Sequence, residues 1–192
     1  MYLSIIIPAY NEERRISQTL EDIDKYLRRQ NYDYEIIVVS DGSKDKTAEV
    51  VDNLKSKIAN LKLINNEENH GKGYVVRQGM MVALGDFRLF TDADNSTSVD
   101  QVEKMWPWFE RGFDVVIGSR DIKGAVLDPP QPWLRHIILG EGFKLYRKIV
   151  IGLWGVEDTQ CGFKCFTKKA AEVIFPKCKI DRFAFDPEIL AI

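Results

Sequence analysis

Two aspartates one residue apart, Asp92 and Asp94, close the stretch FRLFTDADNS at Phe87–Ser96. The apolar residues before them read as a buried strand. On an extended backbone, residues i and i+2 project to the same side. Two carboxylates projecting together suit a hard cation, Mg²⁺ or Mn²⁺, which could in turn hold a diphosphate. Taken alone, the pair is more often a turn or helix-cap signal; its place at a strand end among other polar strand ends favours the metal. Asp41 follows the apolar run EIIVVS and either makes an Asx turn or accepts the N–H of a nucleobase. In NHGKG, Asn69–Gly73, the glycines open a helix or let the backbone approach a nucleotide, with Lys72 near a phosphate or the ribose; the spacing of a Walker loop is absent. His70 reads as a loop residue. Asp158, in EDTQCGFK, is a loop carboxylate or a general base or orienting group. Arg120 and Arg135 are surface charges or a forked clamp on an anionic acceptor.

The elements that would position these groups alternate along the chain. Strands are expected at Leu3–Pro8, Glu35–Ser40, Leu61–Ile64, Phe87–Thr91 and Phe113–Gly118. Helices are expected at Glu12–Arg29, Thr47–Ile58, Gly73–Leu84 and Val99–Arg111. The first carries Ile16, Leu20, Ile23 and Leu27 as one stripe, with Asn11 placed to cap it. Near-continuous apolar strands separated by helices predict a mostly parallel sheet covered on both faces. Ligands in such sheets bind beyond the carboxyl ends of the strands. The polar clusters Tyr10–Asn11–Glu12, Asp41–Gly42–Ser43, Asp92–Ala93–Asp94 and Ser119–Arg120 each follow a strand, so one cleft is expected to gather them. Beyond Arg120 the alternation breaks into a proline-containing loop, Lys123–Pro132, and then Trp133–Trp154, which reads as a helix suited to a protein core or to a membrane interface.

Composition narrows the class. The 192 residues allow one domain with a sizeable core. A net charge of −2 gives no electrostatic footprint for nucleic acid. Three cysteines, Cys161, Cys165 and Cys178, are expected to be reduced, buried thiols in a cytoplasmic setting. No uncharged apolar run approaches the roughly 18–20 residues that span a bilayer. The chain opens almost at once on a strand, so no targeting segment is expected before it, and it stops at EILAI within a helical pattern, as a truncated chain would.

Assembled in order, IIIPAYNEE, VVSDGSKDKT, NHGKGYVVRQGM, TDADNS and GSR resemble the family 2 glycosyltransferases. DTQCGFKCFTKKAAEVIF and RFAFDPEIL, nearer the end, are similar to the dolichyl-phosphate glucosyltransferase branch and its polyprenyl-phosphate relatives. The resemblance implies a single GT-A domain over 1–192, a Rossmann-like α/β/α sandwich, with the donor part at about 1–120 and the acceptor part at about 121–192. It implies that Pro8, Ala9, Tyr10, Glu12, Asp41, Lys72, Asp92 and Ala93 bind a nucleotide-sugar, UDP-glucose first among candidates. Asp92 and Asp94 would hold Mg²⁺ or Mn²⁺ through the DxD motif, with Asp94 and Asp158 catalytic. Arg120 and Arg135 would contact the phosphate of a polyprenyl acceptor; DPPQPW, at 128–133, departs from the family pattern. The implied reaction inverts the anomeric centre at the cytoplasmic face of a membrane. Competing readings are a family 2 enzyme acting on a polysaccharide or other hydroxyl, a mannosyltransferase using GDP-mannose, a nucleotide-binding module without transfer activity, and a nucleotidyltransferase. The last usually has a glycine-rich loop after the first strand, which PAYNEE lacks.

Overall fold

A computed structural model describes residues 1–120 and 158–192. Its centre is a six-stranded sheet: β1 Leu3–Ala9, β2 Tyr34–Asp41, β3 Leu61–Asn66, β4 Phe87–Thr91, β5 Val115–Ile117 and β6 Phe163–Thr167, in the order β3-β2-β1-β4-β6-β5. The first four are parallel neighbours, and β6 runs antiparallel between β4 and β5. The strands progress outward from β1 through β2 to β3, then resume with β4 on the other side of β1. That reversal between β1 and β4 is where open α/β sheets place their ligands.

Helices cover both faces, giving three layers. On one side lie α1 Ile16–Leu27, α2 Thr47–Leu54, a 3₁₀ turn Val99–Lys104 and α4 Trp106–Glu110; α3 Lys72–Val82, α5 Lys168–Ile174 and α6 Phe185–Ala191 lie on the other. The expected stripe of α1 is real. Ile16, Leu20, Ile23 and Leu27 are buried against Leu3, Ile5, Ile36 and Val38 from the sheet. Each such side chain contributes about 1.5–3 kcal/mol of burial. On the opposite face Ile6, Ile37 and Val39 meet Val75, Val76 and Met80 of α3.

Three local expectations change. Asn11 does not cap α1. It adopts a left-handed φ of 56°, and its Oδ1 accepts the Lys44 N–H at 2.8 Å. The helix instead begins after Arg15, whose N–H, like that of Ile16, donates to the Glu12 carbonyl. The single helix expected over Val99–Arg111 is split at Met105, because Pro107 fits only the first turn of a new helix. Finally, β6, at Phe163–Thr167, is a strand that the sequence pattern does not announce; only its first two residues fall in EDTQCGFK, which reads as a loop. The region from Lys123 to Trp154, including Arg135, lies outside the described residues.

Candidate active site

The carboxyl ends of β1, β2 and β4 surround a cavity of about 550 Å³. Pro8, Ala9 and Tyr10 leave β1 along one wall, with Glu12 beyond them; Asp41 closes β2, and Asp92, Ala93 and Asp94 follow β4. Lys72, at the start of α3, completes the group that sequence placed together. Asn69, Gly71, Val75, Arg182 and Phe183 also line it, and none had been singled out individually as a ligand-binding residue. Gly71 stood within NHGKG. Arg182 and Phe183 precede α6 without following a strand, so the strand-end rule gives them no signal.

The loops that carry these residues are bound to one another. The Asn11 N–H donates to Ser43 Oγ at 3.1 Å and the Glu12 N–H to Thr47 Oγ1 at 2.7 Å, which joins the loop after β1 to that after β2. Asp41 is buried, and its two carboxylate oxygens accept the backbone N–H groups of His70 at 2.7 Å and Gly71 at 2.9 Å. Asp41 therefore shapes the loop entering α3 as well as lining the cavity. Gly71 has φ 105°, and a Cβ there would lie 2.5 Å from the Asp181 carbonyl oxygen, so this position requires glycine.

Asp92 and Asp94 both face the cavity, by a route different from strand alternation. β4 ends at Thr91 and the chain turns at once. Thr19 Oγ1 donates to the Ala93 carbonyl at 2.7 Å, burying Ala93. Asp94 Oδ1 caps the Ser96 N–H at 3.0 Å, and Asn95 takes a left-handed φ of 54°. Lys72 Nζ lies 2.5 Å from Asp92 Oδ1. Gly162 lies close behind the Asp92 carboxylate: a Cβ there would fall 1.9 Å from Oδ2. Among the described residues no group of three or more His, Cys, Asp or Glu side chains forms a protein-only metal cage. The donor set nonetheless fits Mg²⁺ or Mn²⁺, because such ions commonly take one or two carboxylates plus water and substrate phosphates.

Asp158 and Arg120 meet beside this cavity rather than in its described lining. β5 and the start of β6 adjoin, with the Gly118 N–H donating to the Phe163 carbonyl at 2.7 Å. Asp158 is buried there and receives Arg120 Nε at 2.7 Å and Nη2 at 2.9 Å, together with the backbone N–H groups of Arg120 and Gln160. Burial alone would raise its pKa, but these donors outweigh it and hold the carboxyl below the usual aspartate range. A carboxylate so held is a weak proton acceptor and a strong anchor for a guanidinium.

A buried ion pair stands nearby. Lys164 Nζ lies 2.5 Å from Asp186 Oδ1 and also donates to the Cys161 carbonyl. Burial drives the Lys164 pKa down and that of Asp186 up, each opposed by the partner's charge. The three thiols are buried and unpaired in disulfides, as expected.

The sequence profile described as Glycosyl transferase family 2 matches residues 4–175. The chain belongs to this family. Among curated relatives, this family 2 chain is 39% identical to a dolichyl-phosphate beta-glucosyltransferase of Trichomonas vaginalis over its whole length and 59% of the relative. It is 38% identical to that of Dictyostelium discoideum, over 99% of the chain and 61% of the relative, and 34% identical to the human one, over 99% and 62%. The chain thus spans about three-fifths of the length of these relatives. Among solved structures, glucosyl-3-phosphoglycerate synthase from Mycobacterium tuberculosis, crystallised with Mn²⁺, UDP and glucosyl-3-phosphoglycerate, superposes with a TM-score of 0.71 at 18% identity, covering 98% of this chain and 63% of that one. TarS of S. aureus in complex with UDP-GlcNAc gives 0.63 at 21%, covering 100% and 54%. These likenesses establish the GT-A fold of this family 2 chain. No helix among the described residues is long and apolar enough to cross a membrane.

Proposed function

We propose that this chain carries the catalytic domain of an inverting glycosyltransferase that moves glucose from UDP-glucose to a polyprenyl phosphate of the dolichyl type. The observation that carries the reading is the meeting of Asp92, Asp94 and Lys72 beside Pro8–Tyr10 and Asp41 in one cavity at the β1/β4 reversal. Family membership and the names of the relatives support the donor and acceptor classes.

In this reading the base and ribose rest along Pro8, Ala9, Tyr10, Glu12 and Asp41, and the diphosphate lies toward Lys72. One Lys72 donor goes to Asp92, and the ammonium has others to offer to phosphate oxygens. Asp92 and Asp94 would hold the divalent cation, which supplies Lewis-acid neutralisation of the departing diphosphate. The acceptor phosphate monoester has a second pKa of about 6, so at neutral pH it is already largely a dianion and needs little deprotonation. Asp158 accordingly acts by holding Arg120, whose guanidinium meets the acceptor phosphate. A hydroxyl acceptor would need a true base, and the four donors on Asp158 disfavour that role. Arg135 remains part of the proposed acceptor contact. The domain works where a lipid phosphate is presented, at the cytoplasmic face of a membrane.

The test is a donor panel of UDP-glucose, UDP-GlcNAc and GDP-mannose against dolichyl phosphate and soluble hydroxyl acceptors, with Mg²⁺ or Mn²⁺ and with EDTA. Cation-dependent β-glucosyl phosphate from UDP-glucose is expected. Sugar transfer to the hydroxyl acceptors alone would reject the lipid-phosphate reading.

A further inference from the structure

We propose that Lys164 and Asp186 are positioning residues, whose buried ion pair sets Asp92 and Lys72 in register with each other. The proposal rests on the reading that those two residues hold the donor diphosphate.

The pair is unusual on energetic grounds. Lys164 is fully buried, with Nζ 5.1 Å from the centre of the Phe90 ring. Desolvating two charges tends to cancel their attraction, and well-packed apolar residues of similar volume often serve stability as well or better. Both ends of the pair, however, reach the site. On one side Lys164 donates to the Cys161 carbonyl at 2.5 Å, in the peptide that leads into Gly162. The Asp92 carboxylate packs directly against Gly162. Phe90, under the ammonium, is two residues from Asp92 on the same chain.

On the other side Asp186 sits in the first turn of α6. The segment entering that helix forms the seat for the start of α3. A Cβ at Gly73 would lie 2.4 Å from the Ile180 carbonyl oxygen and 2.7 Å from Phe185 Cβ. The Tyr74 N–H donates to the Asp181 carbonyl at 3.1 Å, and Arg77 pairs with the Asp181 carboxylate at 2.8 Å. Lys72 is carried by this same turn. One ion pair therefore braces the backbone behind Asp92 and the segment on which Lys72 is seated.

The test compares wild type with Lys164→Met/Asp186→Asn, which removes both charges with little change in volume, and with Asp186→Glu, which keeps the charge but lengthens the arm. Two readouts are taken: UDP affinity in Mn²⁺ and in EDTA, and amide hydrogen exchange. The expected result is a folded double variant whose Mn²⁺-dependent UDP affinity falls tenfold or more. Exchange should quicken at 71–75, 92–95 and 161–162 while β1–β3 stay protected. Asp186→Glu should show the same pattern more weakly, and it decides the matter if the double variant does not fold. Wild-type affinity and unchanged exchange in the folded variants would overturn the proposal. If wild type itself binds no UDP with Mn²⁺, the donor-site reading fails separately, and the exchange pattern alone decides whether the brace exists.

Discussion

Gly162→Ala separates the building of the site from the building of the fold. The substituted Cβ would lie 1.9 Å from Asp92 Oδ2, 2.5 Å from Cγ and 2.8 Å from Oδ1. The first distance is about 1.5 Å inside ordinary van der Waals contact, so something must move. The backbone at 162 is held: Phe163 is in register with Thr91 on β4, and Lys164 fastens the Cys161 carbonyl. The far end of the Asp92 side chain is the softer partner. It should swing away, carrying its carboxylate about 1 Å or more from its place, a misplacement that can cost on the order of 100-fold in rate. That corresponds to about 2.7 kcal/mol of transition-state stabilisation.

Folding should hardly notice. Overpacking ordinarily costs about 1–3 kcal/mol, but relief by one side-chain end belongs at the low end of that range. Loss of glycine's freedom in the unfolded chain offsets about 0.4–1 kcal/mol where the backbone conformation suits alanine. At roughly 2–4 °C per kcal/mol for a domain of this size, Tm should shift by only a few degrees. The assay pairs thermal unfolding with calorimetric titration of UDP in Mn²⁺ and with turnover on dolichyl phosphate. A near-native Tm with a loss of about 100-fold in kcat/KM is expected. Full UDP affinity and turnover in the folded variant would refute the placement of Asp92 against Gly162.

Gly71→Ala should act oppositely, lowering the denaturant midpoint through about 1–3 kcal/mol of backbone strain, because φ is 105° and the new Cβ meets the Asp181 carbonyl oxygen. Asp158→Asn should reduce kcat/KM with a lipid-phosphate acceptor less than Asp92→Asn or Asp94→Asn does; equal losses in folded proteins would favour a true base at 158. Glu35, fully buried, would be pushed up in pKa by burial, but Lys62, Ser4 and the Leu84 N–H together pull it below the ordinary glutamate value. Its contribution is therefore present above that ordinary value of about 4.3 and lost as pH falls through the lower folded value, so unfolding free energy measured from pH 7 to 3 should drop less steeply in Glu35→Gln. The thiols of Cys161, Cys165 and Cys178 are buried, and burial raises the pKa of each, that of Cys178 to about 11, so a thiol-directed disulfide reagent should label none in the native protein and three in denaturant.

The parallel half of the sheet was legible because its central strands β1, β2 and β4 are largely apolar on both faces and end in polar turns. The strand expected at Phe87–Thr91 has those same bounds in the structure, and every residue assigned to the nucleotide-sugar lines the cavity. Asp92 and Asp94 share the cavity through a turn pinned by Thr19, a contact 74 residues away in sequence that no local pattern announces. Asn11 looked like a helix cap, yet its side chain binds the neighbouring loop, a choice made by tertiary contact over local preference. β6 escaped notice because Lys164 interrupts its apolar run, and the partner that makes a buried lysine tolerable lies 22 residues further on.

The direction of that strand decides which residues reach the cavity edge of the sheet. Had β6 joined the sheet parallel to β4, its trailing residues would have reached the ligand edge. Because it runs antiparallel, Thr91 pairs with Phe163 and Ile117 with Lys164, and the residues that precede β6 arrive there instead. Gly162 then backs Asp92, while Asp158, four residues earlier, holds Arg120 just past the end of β5. A loop of five residues thus touches the group proposed to hold the leaving diphosphate and the group proposed to hold the incoming phosphate. On the proposed reading, substitutions within 158–162 should change both UDP affinity and the KM for the lipid phosphate, whereas those in the loops after β1 and β2 should change UDP affinity alone.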